Sequence, residues 1–329
     1  MNDISEIRVL AFDGHGGASE TSIDKPIDGA DISFTWIHIH RDSQTGAAWL
    51  ENNIDYSVVV DALLAEETRP RCTPHGNGVI VNLRGVNLHP ESNPEDMVSI
   101  RLWMEEKRVI SIWRRPLSAI EDLLDAIERK HAPTTPGDFV AKLVLRLADR
   151  AEPTVAGLNE HIDALEEEML DSSEFFPRQQ LADIRRKSIV LRRYLLPQKD
   201  ALTTLEIEDV DWIGDRDRAR IREAAERITR LGEDLDAIRD RAQIVNDQIA
   251  DQRAENMNKQ MLLLSIVAAV FLPLGFLTGL LGINVGGMPG VDNPIAFLIV
   301  VALLLILVVI ELLIFKRLGL LGMKRKDRA

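Results

Sequence analysis

The sequence predicts an α/β cytoplasmic N-terminal domain, a long helical coiled-coil-like stalk and two C-terminal transmembrane helices. Three observations carry that prediction. Two runs of 21 residues, 261–281 and 295–315, hold a single charge between them, Glu311. Upstream of them, apolar residues recur at gaps alternating between three and four, with no proline between Gln198 and Leu272. Before that, residues 1–130 alternate short β-type runs with turns and helical patterns.

In the N-terminal part, period-two alternation and β-branched content mark strands at 8–12, 32–40, 78–88, 97–104 and 108–113. Helical patterns occupy 56–67 and 117–130, the second preceded by Pro116, which suits a helix start. The Pro-Thr-Thr-Pro-Gly stretch at 133–137 marks a boundary, so residues 1–132 form one domain and 133–214 a helical region. That region reads as helices at 138–149, 154–170 and 181–196, the last ended by Pro197. The stalk covers 215–260, with its seam at Ile221, Ala224, Ile228, Leu231, Leu235, Ile238, Ala242, Val245 and Ile249. Without a break it would continue to Leu281, a length on the order of 100 Å. The seam turns polar at Gln252, Asn256 and Lys259, which either fix register or line a hydrated cytoplasmic mouth.

The first span is 261–281 and the second 295–315, each long enough to cross a hydrocarbon core of roughly 30 Å. The loop between them, 282–294, has no Lys or Arg, whereas the tail 316–329 has six. The positive-inside rule therefore places both termini in the cytoplasm. Glu311 reads as an interfacial partner of Lys316 and Arg317. Six basic and three acidic residues follow position 260, so the net −13 of the whole chain becomes −16 over residues 1–260. A body of that sign argues against nucleic acid as a partner. The lone Cys72 excludes a disulfide framework and a multi-cysteine zinc site, and the polar start, with no apolar core, leads us to expect no signal peptide.

Catalytic constellations are weak. Gly14-His15-Gly16-Gly17 lacks the Gly-Lys-Ser/Thr ending of a P-loop and reads as a surface turn. His38 and His40 lie two apart on a strand, share a face and are candidate metal ligands, with no third ligand indicated. Asp163, Glu166, Glu167 and Glu168 make an acidic helix face that is solvated or gathers counter-ions. No nucleophile–base pair or cofactor loop emerges, so neither an enzyme nor a bound cofactor is expected. A chain with two spans cannot enclose a water-filled path, so conduction would require a ring of subunits.

The residues that carry a resemblance are the two C-terminal spans, Phe-Leu-Pro-Leu at 271–274, Gly-Ile-Asn at 282–284 and the long preceding helix. Together they resemble the CorA family of divalent-cation transporters. The magnesium branch carries Gly-Met-Asn; the Gly-Ile-Asn here, followed by Val-Gly-Gly-Met-Pro-Gly, is similar to the zinc-transporting ZntB branch. The resemblance implies a funnel-shaped homopentamer in the bacterial inner membrane, its first spans lining the pore. It places Gly282, Ile283 and Asn284 at the outer selectivity ring, with the path descending past Gly275, Leu272 and Leu264 to Met261. Gly275 stands where relatives often have threonine, and Pro273 matches a family proline. Asp292, the loop carboxylate, would attract cations, while Asn256 and Gln252 would form the cytoplasmic mouth. Apolar rings at Leu272 and Leu264 would close the path by dewetting. Zinc is the expected cargo, with proton-coupled uptake a property of the branch. A channel-like magnesium, cobalt or nickel transporter is the alternative cargo reading. A membrane-tethered coiled-coil scaffold or sensor is the alternative of another class.

Overall fold

The computed structural model describes residues 6–23, 32–66, 69–171, 177–283, 290 and 293–318. Two compact units divide the chain, residues 1–247 and 248–329. The first holds a seven-stranded sheet with β1 (Ile7–Phe12), β2 (Ala18–Thr21), β3 (Phe34–His40), β4 (Arg71–His75), β5 (Gly78–Gly85), β6 (Val98–Glu105) and β7 (Arg108–Trp113). Its order is β2-β1-β3-β7-β6-β5-β4. The β3–β7 pair is parallel, with Ile37 opposite Ile110, and the other pairs are antiparallel.

Alternation along the strands separates two buried faces. Val9, Ile37, Ile39, Ile80, Trp103, Ile110 and Ile112 point one way and pack on Leu50, Val59 and Leu63 of α1 (Gln44–Asn53) and α2 (Ser57–Leu64). Trp36 and Phe34 point the other way and meet Phe139 edge-on, at centroid distances of 5.0 and 6.5 Å. Phe139 belongs to α4 (Pro136–Asp171), which packs with α3 (Ser118–Glu128) and α5 (Arg178–Ile207) on that side. Gly85 gives the leucines of that side room: a Cβ would come within 2.6 Å of Leu117 Cδ1 and 2.8 Å of Leu147 Cδ2, so those side chains would have to shift. The sheet therefore lies between two helical layers.

Three elements escape the sequence patterns. β2 is only Ala-Ser-Glu-Thr, and β4 (Arg-Cys-Thr-Pro-His) is an edge strand, where Pro74 is tolerated because its missing N–H faces no partner. α1 starts at Ser43, whose Oγ accepts the Gly46 N–H at 3.1 Å, with little apolar periodicity behind it. The glycine turn at 14–17 closes the β1–β2 hairpin, where the Asp13 carboxylate accepts the His15 and Gly17 N–H groups. Those bonds hold the Asp13 carboxyl below its usual range.

Two expectations about helix ends are corrected. Residues 138–149 and 154–170 belong to one helix, α4, with Pro153 inside it. Pro197 likewise sits inside α5 rather than ending it. A mid-helix proline costs about 3 kcal/mol, yet burial on either side outweighs it. Leu147, Ala148, Ala151, Val155, Leu158 and Ile162 form one buried stripe across Pro153, and Leu191, Leu195, Ala201, Leu202 and Leu205 another across Pro197.

α6 (Asp215–Leu281) is continuous as expected, with Pro273 inside it, and α7 (Ala296–Arg317) follows. From Ile221 to Val245 every seam residue is at most 7% exposed within the single chain. The flanking ion pairs name the neighbours: Arg227–Asp149 and Arg241–Glu166 reach α4, and Arg192–Asp236 comes from α5. The seam therefore packs against α4 and α5 of its own chain, so these residues are not what joins one copy to another. Arg241 also neutralises Asp163 at 2.6 Å, which makes half of the acidic face a set of ion pairs.

The bases of α4 and α6 are tied by Asp138, 7% exposed. Its carboxylate takes Arg220 at 2.6 Å, Lys142 at 2.7 Å and the Thr134 N–H at 3.1 Å. Asp217 lies beside it, its carboxyl pushed up by burial and then by Asp138. Removing a cation from this group leaves buried negative charge uncompensated. Arg220→Ala is expected to cost about 2 kcal/mol in denaturant unfolding; a loss below about 0.5 kcal/mol would show that Lys142 suffices.

Candidate functional site

The expected path residues lie on the second unit's part of α6. Met261, Leu264 and Leu272 are 58, 70 and 72% exposed, and a side chain added at Gly275 would meet no atom within 4 Å. At about 100° per residue, Met261, Leu264, Leu272 and Gly275 fall on one side of the helix, and Gly279 and Gly282 continue it. This face is apolar or bare. The two hydroxyl side chains nearby are turned onto backbone: Ser265 Oγ donates to the Met261 carbonyl, and Thr278 Oγ1 to those of Leu274 and Gly275. Pro273 has no N–H to offer the Ala269 carbonyl, which loosens the helix in the same turn.

Helical phase does not carry Gln252 and Asn256 onto this face; they lie well over 90° around the helix from its centre. The residues one turn below Met261 on the path side are Met257, 61% exposed, and Asn258. The coiled-coil seam and the stripe through Met261, Leu264 and Leu272 occupy different sides of the same helix. Lys259 is held by Glu255 at 2.7 Å.

At the C-terminal end of α6 the Gly282 N–H closes the helix on the carbonyls of Thr278 and Gly279, and Ile283 is 46% exposed. Asn284 and Asp292 lie outside the described residues. On α7, Glu311 makes no ion pair with Lys316 or Arg317 among the described residues, and its Oε2 has no hydrogen-bond partner there. The reason is spacing: offsets of five and six residues put those cations on other sides of the helix, whereas i+3 and i+4 would have met it.

Neither candidate span has any buried part, at mean hydropathies of 2.4 and 3.5. Apolar surface of that extent is not left to water. It requires lipid, other helices or both.

The histidine pair lies elsewhere, in the first unit. His38 Nδ1 contacts Ser111 Oγ at 2.6 Å and its ring stacks 5.4 Å from Trp113. His40 meets Trp113 edge-on, and its Nε2 lies 3.3 Å from the Arg114 carbonyl. Burial, then Arg8 and His40, push the His38 imidazole down to about 3. The two rings are thus occupied by packing, and among the described residues no three His, Cys, Asp or Glu side chains gather as a metal site. The Cys72 thiol is pushed up to about 12 by burial and then by Glu208, so it supplies no thiolate at neutral pH.

Comparison with known proteins bears on the whole arrangement. The profile of the family described as CorA-like Mg2+ transporter protein matches residues 31–317. The zinc transport protein ZntB of Pectobacterium atrosepticum is 36% identical over 92% of both chains. The divalent cation transporter CmaX of Pseudomonas aeruginosa is 41% identical over 80% of both. The structure of full-length CmaX superposes with a TM-score of 0.85 at 35% identity, covering 97% of this chain and 99% of that one.

Proposed function

This chain belongs to the CorA family of divalent-cation transporters, and from that premise we propose that it carries zinc across the bacterial inner membrane as a homopentamer. The observation that carries the reading is the uncharged, wholly unburied stretch of α6. Five such helices around an axis, with α7 towards lipid, give each exposed side a neighbour. Gly282-Ile283-Asn284 forms the outer ring, where amide oxygens replace part of the ion's hydration shell. Asp292 raises the local cation concentration at that mouth. Leu272 and Leu264 narrow the dry section, and Asn258 meets the ion where it regains water. Oxygen ligands without thiolate hold zinc weakly, which suits passage. Both termini face the cytoplasm.

The similarity to zinc transport proteins and the Gly-Ile-Asn motif support zinc. The second reading, a magnesium, cobalt or nickel channel, is favoured by the designation of the family itself. Uptake of radioactive zinc into liposomes holding the purified protein separates the two, with magnesium, an inward proton gradient and an Asn284→Ala variant alongside. Zinc entry enhanced by the gradient and lost in the variant is the expected result. Equal, gradient-independent entry of magnesium would establish the second reading, and no flux of any ion would overturn transport.

A further inference from the structure

A second site lies in the sheet unit, of opposite sign to a cation path. The C-terminal ends of β3, β5 and β7 and the start of β6 come together at one end of the sheet, because β3 and β7 run parallel and β6 runs against both of its neighbours. Ligands of open α/β sheets bind beyond the carboxyl ends of strands. Here those ends carry arginine: Arg41 follows β3, Arg84 closes β5, Arg101 lies early in β6, and Arg114 and Arg115 follow β7. These five, with Glu66 as the acidic member, line a pocket of about 350 Å³.

Several of these groups meet partners within the protein. Arg41 and Glu66 stand 3.9 Å apart, as do Arg114 and Asp42. Arg84 donates to the Met97 carbonyl at 3.1 Å and lies over the Tyr194 ring at 4.3 Å. Arg101 is 3% exposed; it donates to the Glu66 carbonyl at 3.4 Å, and among the described residues its Nε has no partner. Directly opposite it in the register, buried Asn82 has neither amide atom bonded among the described residues. Burial, then Arg41, Arg84 and Arg114, lower the Arg101 guanidinium to about 10, which leaves it charged at neutral pH. A buried cation is ordinarily paired; this one faces other cations.

We propose that the arginine pocket at the carboxyl end of the sheet binds a phosphate-bearing anion. Guanidinium forks match tetrahedral oxyanions in pairs of N–H···O bonds, and arginines outnumber the acidic groups around this pocket, Glu66 and the Asp42 beside Arg114. The volume exceeds that of a bare phosphate, so the phosphate is either free or part of a larger molecule such as a nucleotide.

Calorimetry on the full-length protein in detergent, in chloride-free buffer, tests the site. Inorganic phosphate, pyrophosphate, ADP and chloride are titrated separately. Saturable binding of a phosphate-bearing probe, at one per chain and at least tenfold tighter than chloride, is expected. Phosphate binding as tightly as ADP identifies the free ion as ligand, and ADP or pyrophosphate binding tenfold tighter identifies a larger phosphate carrier. Arg101→Gln should weaken binding more than tenfold. Should that buried change fail to fold, Arg115→Gln, at an exposed position, should still weaken it several-fold with an unchanged near-UV spectrum. Absence of binding, chloride binding equally well, or full affinity retained in Arg115→Gln together with any folded Arg101→Gln protein would overturn the assignment.

Discussion

Liposomes carrying the Leu272→Asn protein are expected to pass zinc about tenfold faster than the parent, or more. Leu272 shares the face of Met261, Leu264 and Gly275 on α6, and in the proposed ring it forms a constriction that closes by losing water. Dry passage is costly because an ion stripped of hydration needs replacement ligands. Asparagine keeps the approximate size and offers each subunit an amide oxygen. A barrier reduction of only about 1.4 kcal/mol multiplies flux about tenfold. Leu272→Met, apolar and of similar volume, should leave the rate close to that of the parent. Parent-like flux in Leu272→Asn would move the constriction to another residue of the stripe.

The other large effect concerns pH. His38 is neutral in the folded protein, with its pKa at about 3 against 6.5 for an unperturbed imidazole. Below pH 6.5 the unfolded chain takes up a proton here that the folded chain refuses, so this contribution to stability is fully present at neutral pH and falls as pH falls towards 3. At pH 5 the loss is about 2 kcal/mol. His38→Phe keeps a ring to stack on Trp113 and removes the titration, at the expense of the Ser111 bond. The stability gap between the two proteins in denaturant unfolding should therefore narrow by about 2 kcal/mol between pH 7 and pH 5. A gap independent of pH would show that His38 protonates readily in the folded state.

Much of the architecture was legible from residues alone. The strands around Ile37, Ile80, Trp103 and Ile110 announced themselves by alternation, and the two spans by the absence of charge. α6 was legible as a continuous helix because nothing between Gln198 and Leu272 interrupts it. The errors share one cause, which is that local pattern does not name its partner. Pro153 and Pro197 are helix breakers by chemistry, and only the buried stripes beneath them show why their helices continue. The heptads of α6 announced a coiled-coil seam without naming what fills it, and α4 and α5 of the same chain do. The arginine pocket left no trace in the sequence, because Arg41, Arg84, Arg101 and Arg114 are brought together only by strand order.

That strand order also shapes how the chain is made. β4 to β7 form an antiparallel meander, its strands joined by residues 76–77, 86–97 and 106–107, and β1 to β3 assemble among themselves. The two halves join only where β3 meets β7, a pairing across more than 60 residues of intervening chain, and pairings of this kind slow folding. During synthesis the N-terminal half must wait with an unpaired β3 edge, rich in Ile and Trp, until Trp113 has left the ribosome. The spans come last, after the whole sheet has been translated. A slowed codon run or a chaperone contact would therefore matter most between His40 and Arg108, well before any apolar helix needs a membrane.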